Sequence, residues 1–210
     1  VIFLVIITFF ENMKWRKCSQ AGQDIFAYNL LGNGGTYVEI GGHLPAINSN
    51  TYNLEVHYGY RGFSIEFDRK YKSHWDECLE RKNTIYWEDA ITFDYATACQ
   101  KNKLPLHINY LSIDIESPAN TFAALQKVIN DGLTFDLITF EHDRYQCEED
   151  YHKIASDFLL PKGYKVAVHD VWHRHKERIF ETWFVNKNVQ YSPKSYTQWL
   201  TKDICNLLNC

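Results

Sequence analysis

Short apolar runs, most of them ending in an acidic residue, alternate along the chain with polar stretches that have helical spacing. Near-continuous apolar runs are typical of parallel strands covered on both faces. The predicted strands lie within residues 36–42, 62–68, 84–90, 108–117, 135–143, 164–171 and 179–186. The predicted helices lie within residues 19–31, 117–132 and 150–163, with another beginning near 48–51. Strands that alternate with helices predict an α/β fold with a doubly wound sheet and helices on both faces.

Length and composition favour one globular domain. The chain has 210 residues, of which 45% are hydrophobic, and this is enough to bury a substantial core. The opening VIFLVIITFF is apolar for about half of the ~20 residues that a membrane span needs. We therefore expect a single domain over residues 1–210 with no membrane span, in which residues 1–18 are an N-terminal extension. Because the chain starts with Val, we also expect it to be a fragment of a longer polypeptide.

Charge and cysteine content bear on the partner and the compartment. The net charge is −4 and the basic residues are dispersed, which argues against a nucleic-acid backbone as the main partner. The six cysteines are scattered and form no CxxC pair. Such cysteines favour reduced thiols and therefore a cytoplasmic protein. From the charge, we expect no nucleic-acid partner.

The ends of the first three predicted strands carry a pattern that suits a nucleotide-like ligand. Gly41 and Gly42 follow Glu39 and would let the backbone approach a ligand closely. Glu66, at the end of the second strand, is placed to accept hydrogen bonds from ribose hydroxyls. The residues predicted to meet the adenine, at the end of the third strand, are Asp89 and Ala90. Simple turns and solvated acids are the alternative interpretation of all three strand ends.

Five polar residues follow the next two strands. Asp114 and Glu116 end one predicted strand, and Glu141, His142 and Asp143 end the other. Adjacent strand ends would bring these groups into one crevice, where buried carboxylates need a cation or hydrogen bonds. The sequence therefore predicts either a divalent-metal site or a general base, with catalytic roles for Asp114, Glu116 and His142. Acids that cap the strands and face water are the alternative.

Six segments between Ser19 and Tyr145 resemble, in the same order, the FkbM-type family of S-adenosylmethionine-dependent methyltransferases. They read S-Q-A-G-Q-D, E-I-G-G, S-N-T, I-E, S-I-D-I-E and F-E-H. The resemblance implies a class I methyltransferase, Rossmann-like fold. Its seven-stranded sheet is mostly parallel with an antiparallel last strand.

The resemblance also implies a chemistry, the O-methylation of a sugar hydroxyl on a glycan or glycoconjugate, such as a deoxyhexose like rhamnose. The fragment-like start of the chain suggests neighbouring domains, and a glycosyltransferase domain on the same polypeptide would fit this chemistry. The implied S-adenosylmethionine site comprises Glu39, Gly41, Gly42, Asn50, Glu66, Asp89, Ala90 and Asp114. The implied ligands of a divalent metal, Mg²⁺ or Mn²⁺, are Asp114, Glu141 and His142.

Two other functions fit parts of the sequence. One is a Rossmann-type oxidoreductase that uses NAD or a nucleotide sugar, although the loop after Glu39 lacks the third glycine of G-x-G-x-x-G. The other is a non-catalytic domain that binds glycan through its aromatic residues. Binding of S-adenosylhomocysteine, of NAD or of neither separates the three functions.

Overall fold

Strands and helices alternate along the chain, as the sequence predicts. The protein is described by a computed structural model over residues 18–173 and 178–190. The strands are β1 Thr36–Ile40, β2 Arg61–Ile65, β3 Thr84–Tyr86, β4 His107–Ile113, β5 Thr134–Glu141, β6 Tyr164–His173 and β7 Arg178–Asn186. The helices are α1 Gln23–Leu31, α2 Tyr52–Tyr58, α3 Lys72–Glu77, α4 Tyr95–Lys101, α5 Pro118–Asn130 and α6 Tyr151–Leu159.

The strands form one seven-stranded sheet in the order β3-β2-β1-β4-β5-β7-β6. The pairs from β3 to β5 are all parallel, whereas β7 is antiparallel to both of its neighbours. This arrangement confirms the predicted sheet, including its antiparallel last strand. The order reverses between β1 and β4, and ligands of open α/β sheets bind at the carboxyl ends of the strands beside such a reversal.

Successive strand residues point to opposite faces of the sheet, and each face has its own core. On one face Val38, Leu111 and Ile138 belong to a buried cluster that also includes residues of α5 and α6. On the other face Tyr37 and Tyr110 belong to a cluster that includes residues of α1 and α2. Both faces are therefore buried, which explains why the strands read as continuous apolar runs rather than as alternating ones.

Helix ends follow the predicted local chemistry where the signal was strong. Ser117 Oγ accepts a hydrogen bond from the backbone N–H of Asn120, and Pro118 is the first residue of α5. Ser49 Oγ accepts one from the backbone N–H of Tyr52, where α2 begins. The sequence reasoning missed α3 and α4, because helices of six and seven residues are too short to show a clear 3.6-residue period.

Some expectations lie outside the described residues. The predicted N-terminal extension is one of them, apart from its last residue, Cys18. A single domain, a longer parent polypeptide and a cytoplasmic location stay predictions. Within residues 18–173 and 178–190, no helix combines the length and the apolar character that crossing a membrane requires.

Gly41 allows the loop after β1 to pass against the end of β4. Its φ is +91°, and its backbone N–H donates to the carbonyl of Ile65 over 3.0 Å. A Cβ at this position would lie 1.7 Å from the carbonyl oxygen of Asp114. Glycine is therefore required here by the packing of the protein on itself, whether or not a ligand is present.

We expect Gly41→Ala to lower the free energy of unfolding by at least about 3 kcal/mol, because backbone atoms must move to admit the new methyl group. Gly59→Ala is the matched control, since Gly59 also has a positive φ, of 69°, but nothing lies within 4 Å of its Cβ position. The control should cost about 1 kcal/mol. Urea denaturation measures both losses, and equal losses would show that the contact with Asp114 imposes no constraint.

Candidate active site

Glu39, at the end of β1, is enclosed by protein groups and is only 3% exposed. Its carboxylate accepts hydrogen bonds from Ser49 Oγ at 3.1 Å and from Ser64 Oγ at 2.7 Å. Arg81 Nη2 lies 3.2 Å from Glu39 Oε2. The structure thus places Glu39 beneath the loop that follows β1, with both carboxylate oxygens already bonded to protein groups.

Arg81 is the main site residue that the sequence reasoning missed. It lies between α3 and β3, yet its side chain is only 2% exposed. Its Nε lies 2.6 Å from Glu55 Oε2, so the guanidinium bridges two buried carboxylates, those of Glu39 and Glu55. The flanking letters, E-R-K-N, are polar and predict a solvated loop, so no local signal could have revealed this burial.

Glu66, just after β2, points toward the loop that follows β1. Its Oε2 accepts from the backbone N–H of His43 at 2.8 Å, and its Oε1 accepts from that of Asp68 at 2.7 Å. The residue is half-buried. Each carboxylate oxygen has a second lone pair, so the group retains the capacity to accept from a ligand's hydroxyls.

Asn50 holds a buried polar atom that no described residue satisfies. Its Nδ2 donates to Ser112 Oγ at 3.0 Å, while its Oδ1 has no hydrogen-bond partner among residues 18–173 and 178–190. The residue is 8% exposed. Buried amide oxygens are nearly always bonded, so an orphan beside the carboxyl end of β4 calls for a donor supplied by something else.

The loop after β3 carries Asp89 and Ala90 at the same edge of the sheet. Asp89 is exposed, and its Oδ1 accepts from the backbone N–H of Ile91 at 2.9 Å. Ala90 is buried, and its carbonyl accepts from the hydroxyl of Tyr95 at 2.8 Å. These bonds hold the loop in place beyond β3, and the predicted adenine contacts stay a prediction.

Asp114 and Glu141 meet at the carboxyl ends of β4 and β5. Their side chains share a hydrogen bond, and Glu141 Oε2 is buried without a partner among the described residues. Burial, together with the nearby carboxylate of Asp114, raises the pKa of Glu141 far above its usual range. The two acids therefore behave as one proton-sharing unit rather than as two independent carboxylates.

Glu181, on β7, is a second residue that the sequence reasoning missed. It lies opposite Glu141 in the β5–β7 register and accepts from Gln23 Nε2 at 3.0 Å and Trp183 Nε1 at 2.6 Å. Burial raises the pKa of Glu181 to about 8, and the charge of Asp114 makes a smaller contribution in the same direction. The signal was present as one acid inside the apolar run IFETWFVN, but that run was interpreted only as a strand.

His142 points away from the acid pair. It follows Glu141 directly, so its ring lies on the opposite face of the sheet, where Nε2 is 3.2 Å from Thr182 Oγ1. His152 Nδ1 contacts the same hydroxyl at 2.7 Å. Burial lowers the pKa of His142 to about 4. The expectation that His142 joins Asp114 and Glu141 in one crevice is therefore corrected, because strand residues alternate between faces.

The predicted metal site is not supported. No group of three His, Cys, Asp or Glu side chains suited to a metal ion occurs in the part of the chain that the structure describes. Of the three predicted ligands, Asp114 and Glu141 come together and His142 does not. Glu116, the remaining predicted catalytic residue, is exposed beyond the end of β4. We therefore assign no step of the chemistry to a metal.

Comparisons with known proteins agree with this geometry at the level of the fold. No family model and no curated protein matches the chain. An rRNA methylase from Streptococcus thermophilus matches with a TM-score of 0.53 at 10% identity, over 83% of this chain and 98% of that one. Human methyltransferase-like protein 13 in complex with SAH matches with a TM-score of 0.55 at 13% identity, over 90% of each chain. The chain has the class I methyltransferase fold.

A third structure of this fold is the small RNA methyltransferase HEN1, which matches with a TM-score of 0.55 at 11% identity, over 87% of this chain and 27% of that one. At identities of 10–13%, these similarities show the fold alone. They give no support for the FkbM family in particular.

The predicted partners are corrected. The expectation of a sugar or glycan acceptor, with nucleic acid excluded, is wrong, because the similar structures include an rRNA methylase and a small RNA methyltransferase. The exclusion had rested on the net charge of −4. Net charge describes the whole surface, whereas an acceptor is recognised by a local part of it.

We expect the stability of the protein to fall between pH 5.5 and 7.5, partly because of Glu181. Its folded pKa of about 8 lies above the ordinary glutamate pKa of 4.5, so in this range the native state keeps a proton that the unfolded state releases. Such a group lowers the free energy of unfolding by at most about 1.4 kcal/mol per pH unit. Glu181→Gln should flatten the decline in urea denaturation, whereas the exposed control Glu88→Gln should not. Equal slopes for all three proteins would contradict the buried, protonated Glu181.

Proposed function

We propose that this chain is an S-adenosylmethionine-dependent methyltransferase whose donor binds at the carboxyl ends of β1, β2 and β3. The observation that carries the proposal is that two buried polar atoms at this edge of the sheet, Asn50 Oδ1 and Glu141 Oε2, have no hydrogen-bond partner among residues 18–173 and 178–190. An edge of this kind beside the reversal in strand order is where the class I methyltransferase fold places its ligand.

The donor would use groups from three strand ends. Glu66 accepts from the ribose hydroxyls, and Asp89 with the Ala90 backbone N–H meets the adenine. The loop at Gly41 and Gly42 gives the backbone close access to the ligand. The Asn50 Oδ1 atom accepts from the ammonium group of the methionine moiety, which satisfies an oxygen that otherwise has no donor.

Asp114 and Glu141 would serve the acceptor. The acceptor oxygen attacks the methyl carbon in line with the C–S bond, and the electron pair of that bond goes to sulfur, which becomes a neutral thioether. The hydroxyl proton passes to the carboxylate form of the Asp114–Glu141 pair. Because the sulfonium is already activated, most of the remaining acceleration comes from alignment of the two reactants. Glu116 lies at the outer rim, where it can contact the acceptor.

For the acceptor molecule we propose RNA, on the strength of the RNA methyltransferases that share the fold. The FkbM-like residues imply a hydroxyl acceptor, and RNA carries such a group in its 2′-OH. With a net charge of −4, phosphate contacts must come from a local basic surface, so binding should weaken as salt rises. Membership of the FkbM family stays a part of this proposal.

We expect Glu66→Gln to weaken binding of S-adenosylhomocysteine by about 10–100-fold, because hydrogen bonds from the ribose to a charged acceptor are lost. Glu88→Gln, an exposed acid in the next loop, should bind like the wild type. Calorimetry measures both, with NAD titrated in parallel. Binding of NAD alone would favour the oxidoreductase, and binding of neither ligand would favour a non-catalytic domain.

We expect Asp114→Asn to reduce methyl transfer by about 10²–10⁴-fold while S-adenosylhomocysteine still binds, because the base is lost but the donor site is kept. Asp136→Asn is the control, since Asp136 lies near the start of β5, remote from its carboxyl end. Transfer of a labelled methyl group to total RNA and to total protein, at low salt, gives the rates. Full activity of Asp114→Asn contradicts the catalytic role, and label on protein alone contradicts the RNA acceptor.

A further inference from the structure

The loop between β1 and α2 forms one wall of the proposed donor site, and it contains no helix or strand over residues 41–51. Beyond the backbone bonds of Gly41 and Gly42 to the carbonyl of Ile65, its position depends on side-chain bonds. Arg81 supplies three of them: Nη1 donates to the carbonyl of Pro45 at 3.0 Å and to Ser49 Oγ at 3.1 Å, and Nη2 donates to Thr51 Oγ1 at 3.0 Å. One guanidinium thus holds the loop at several points.

The same guanidinium is anchored to the rigid part of the fold. Nη2 also lies 3.0 Å from the hydroxyl of Tyr37 and 3.2 Å from both Glu39 Oε2 and Ser64 Oγ, so its two N–H groups are shared among these acceptors and Thr51 Oγ1. Nε is 2.6 Å from Glu55 Oε2 on α2. Arg81 consequently links the loop to β1, β2 and α2 through a planar group whose donors point in fixed directions.

A ring contact extends this arrangement to the start of the loop. The guanidinium carbon of Arg81 lies 4.7 Å from the centroid of the Trp75 ring, and Trp75 Nε1 donates to the carbonyl of His43 at 2.9 Å. Planarity allows stacking and several directed hydrogen bonds at once. A lysine ammonium has neither property, so lysine would keep the charge but not the contacts.

Asn50 lies between two residues that Arg81 binds, Ser49 and Thr51. Its own side chain bonds to Ser112 through Nδ2 and leaves the buried Oδ1 without a donor among the described residues. The direction in which Asn50 Oδ1 points is therefore set by the Nδ2 bond to Ser112 and by the Arg81 bonds to Ser49 and Thr51. None of these bonds uses Oδ1 itself.

We propose that Arg81 is a positioning residue for the methyl donor: its buried guanidinium fixes the residues on both sides of Asn50, so that Asn50 Oδ1 is held toward the donor. This inference rests on the proposed function. Arg81 is enclosed by protein groups and does not itself touch the donor. Its effect on the reaction passes through the loop, so it should act on donor affinity and not on the transfer step.

Two variants test this role. Arg81→Lys keeps the buried charge but loses the directed bonds, and it should weaken binding of S-adenosylhomocysteine by at least about tenfold. Ser49→Ala keeps Arg81 but removes its contact with the loop at Ser49, together with the Ser49 bonds to Glu39 and to the Tyr52 N–H, and it should weaken binding by about threefold to tenfold. In turnover, both should raise the KM for S-adenosylmethionine and retain kcat at saturating donor.

The control is Val128→Ala, which makes a cavity under α5 on the other face of the sheet. It should lower the melting temperature without changing the affinity or the KM for the donor. Circular dichroism identifies a temperature at which each variant is folded, and calorimetry is done there. If Arg81→Lys does not fold, the affinity of Ser49→Ala for S-adenosylhomocysteine decides whether Arg81 has the positioning role.

The outcomes separate this inference from the proposed function. Wild type that binds S-adenosylhomocysteine, together with folded Arg81→Lys and Ser49→Ala that bind it equally well, overturns the positioning role alone. A fall in kcat at unchanged KM also overturns it. Wild type that binds no S-adenosylhomocysteine overturns both the role and the function.

Discussion

The buried charge of Arg81 is the constraint on which the candidate site depends. Its guanidinium lies between the carboxylates of Glu39 and Glu55, and all three side chains are at most 5% exposed. A buried ion pair gains little over apolar packing, but loss of one partner leaves a charge without compensation and costs about 3–5 kcal/mol. The ion pairs of Arg81 with Glu39 and Glu55 therefore stabilise the fold at this site only when all three charged side chains are present. It connects β1, α2 and the loop that bears Asn50, which are distant from Arg81 in the sequence.

Strand alternation divides the residues at the end of β5 between two environments. Glu141 faces Asp114 and the buried acid of β7, whereas His142 faces Thr182 and packs near Phe140 in the opposite core. One residue along the strand thus separates a proton-sharing acid pair from a neutral histidine. The three consecutive polar residues at the end of β5, E-H-D, therefore do not form a single set of metal ligands.

The two halves of the site differ in what they offer a ligand. The donor half provides hydrogen-bond acceptors, among them Glu66 and the orphan oxygen of Asn50. The other half holds Asp114, Glu141 and Glu181, and burial raises the pKa of the last two. Buried carboxylates are costly without compensation, and keeping a proton is how these two groups avoid that cost.

Strand and helix periodicity alone were enough to predict the α/β class and the approximate position of every strand, because these depend on local sequence. The motif pieces likewise all fall at the edge of the sheet where the parallel strands end. Only the tertiary structure identified Arg81 and Glu181 as part of the site and removed His142 from the acid pair. Burial of an arginine depends on partners far away in the chain, which the neighbouring letters do not encode. That Glu141 and His142 occupy opposite faces follows from their adjacency in a strand, but which of them meets Asp114 depends on the register between β4 and β5.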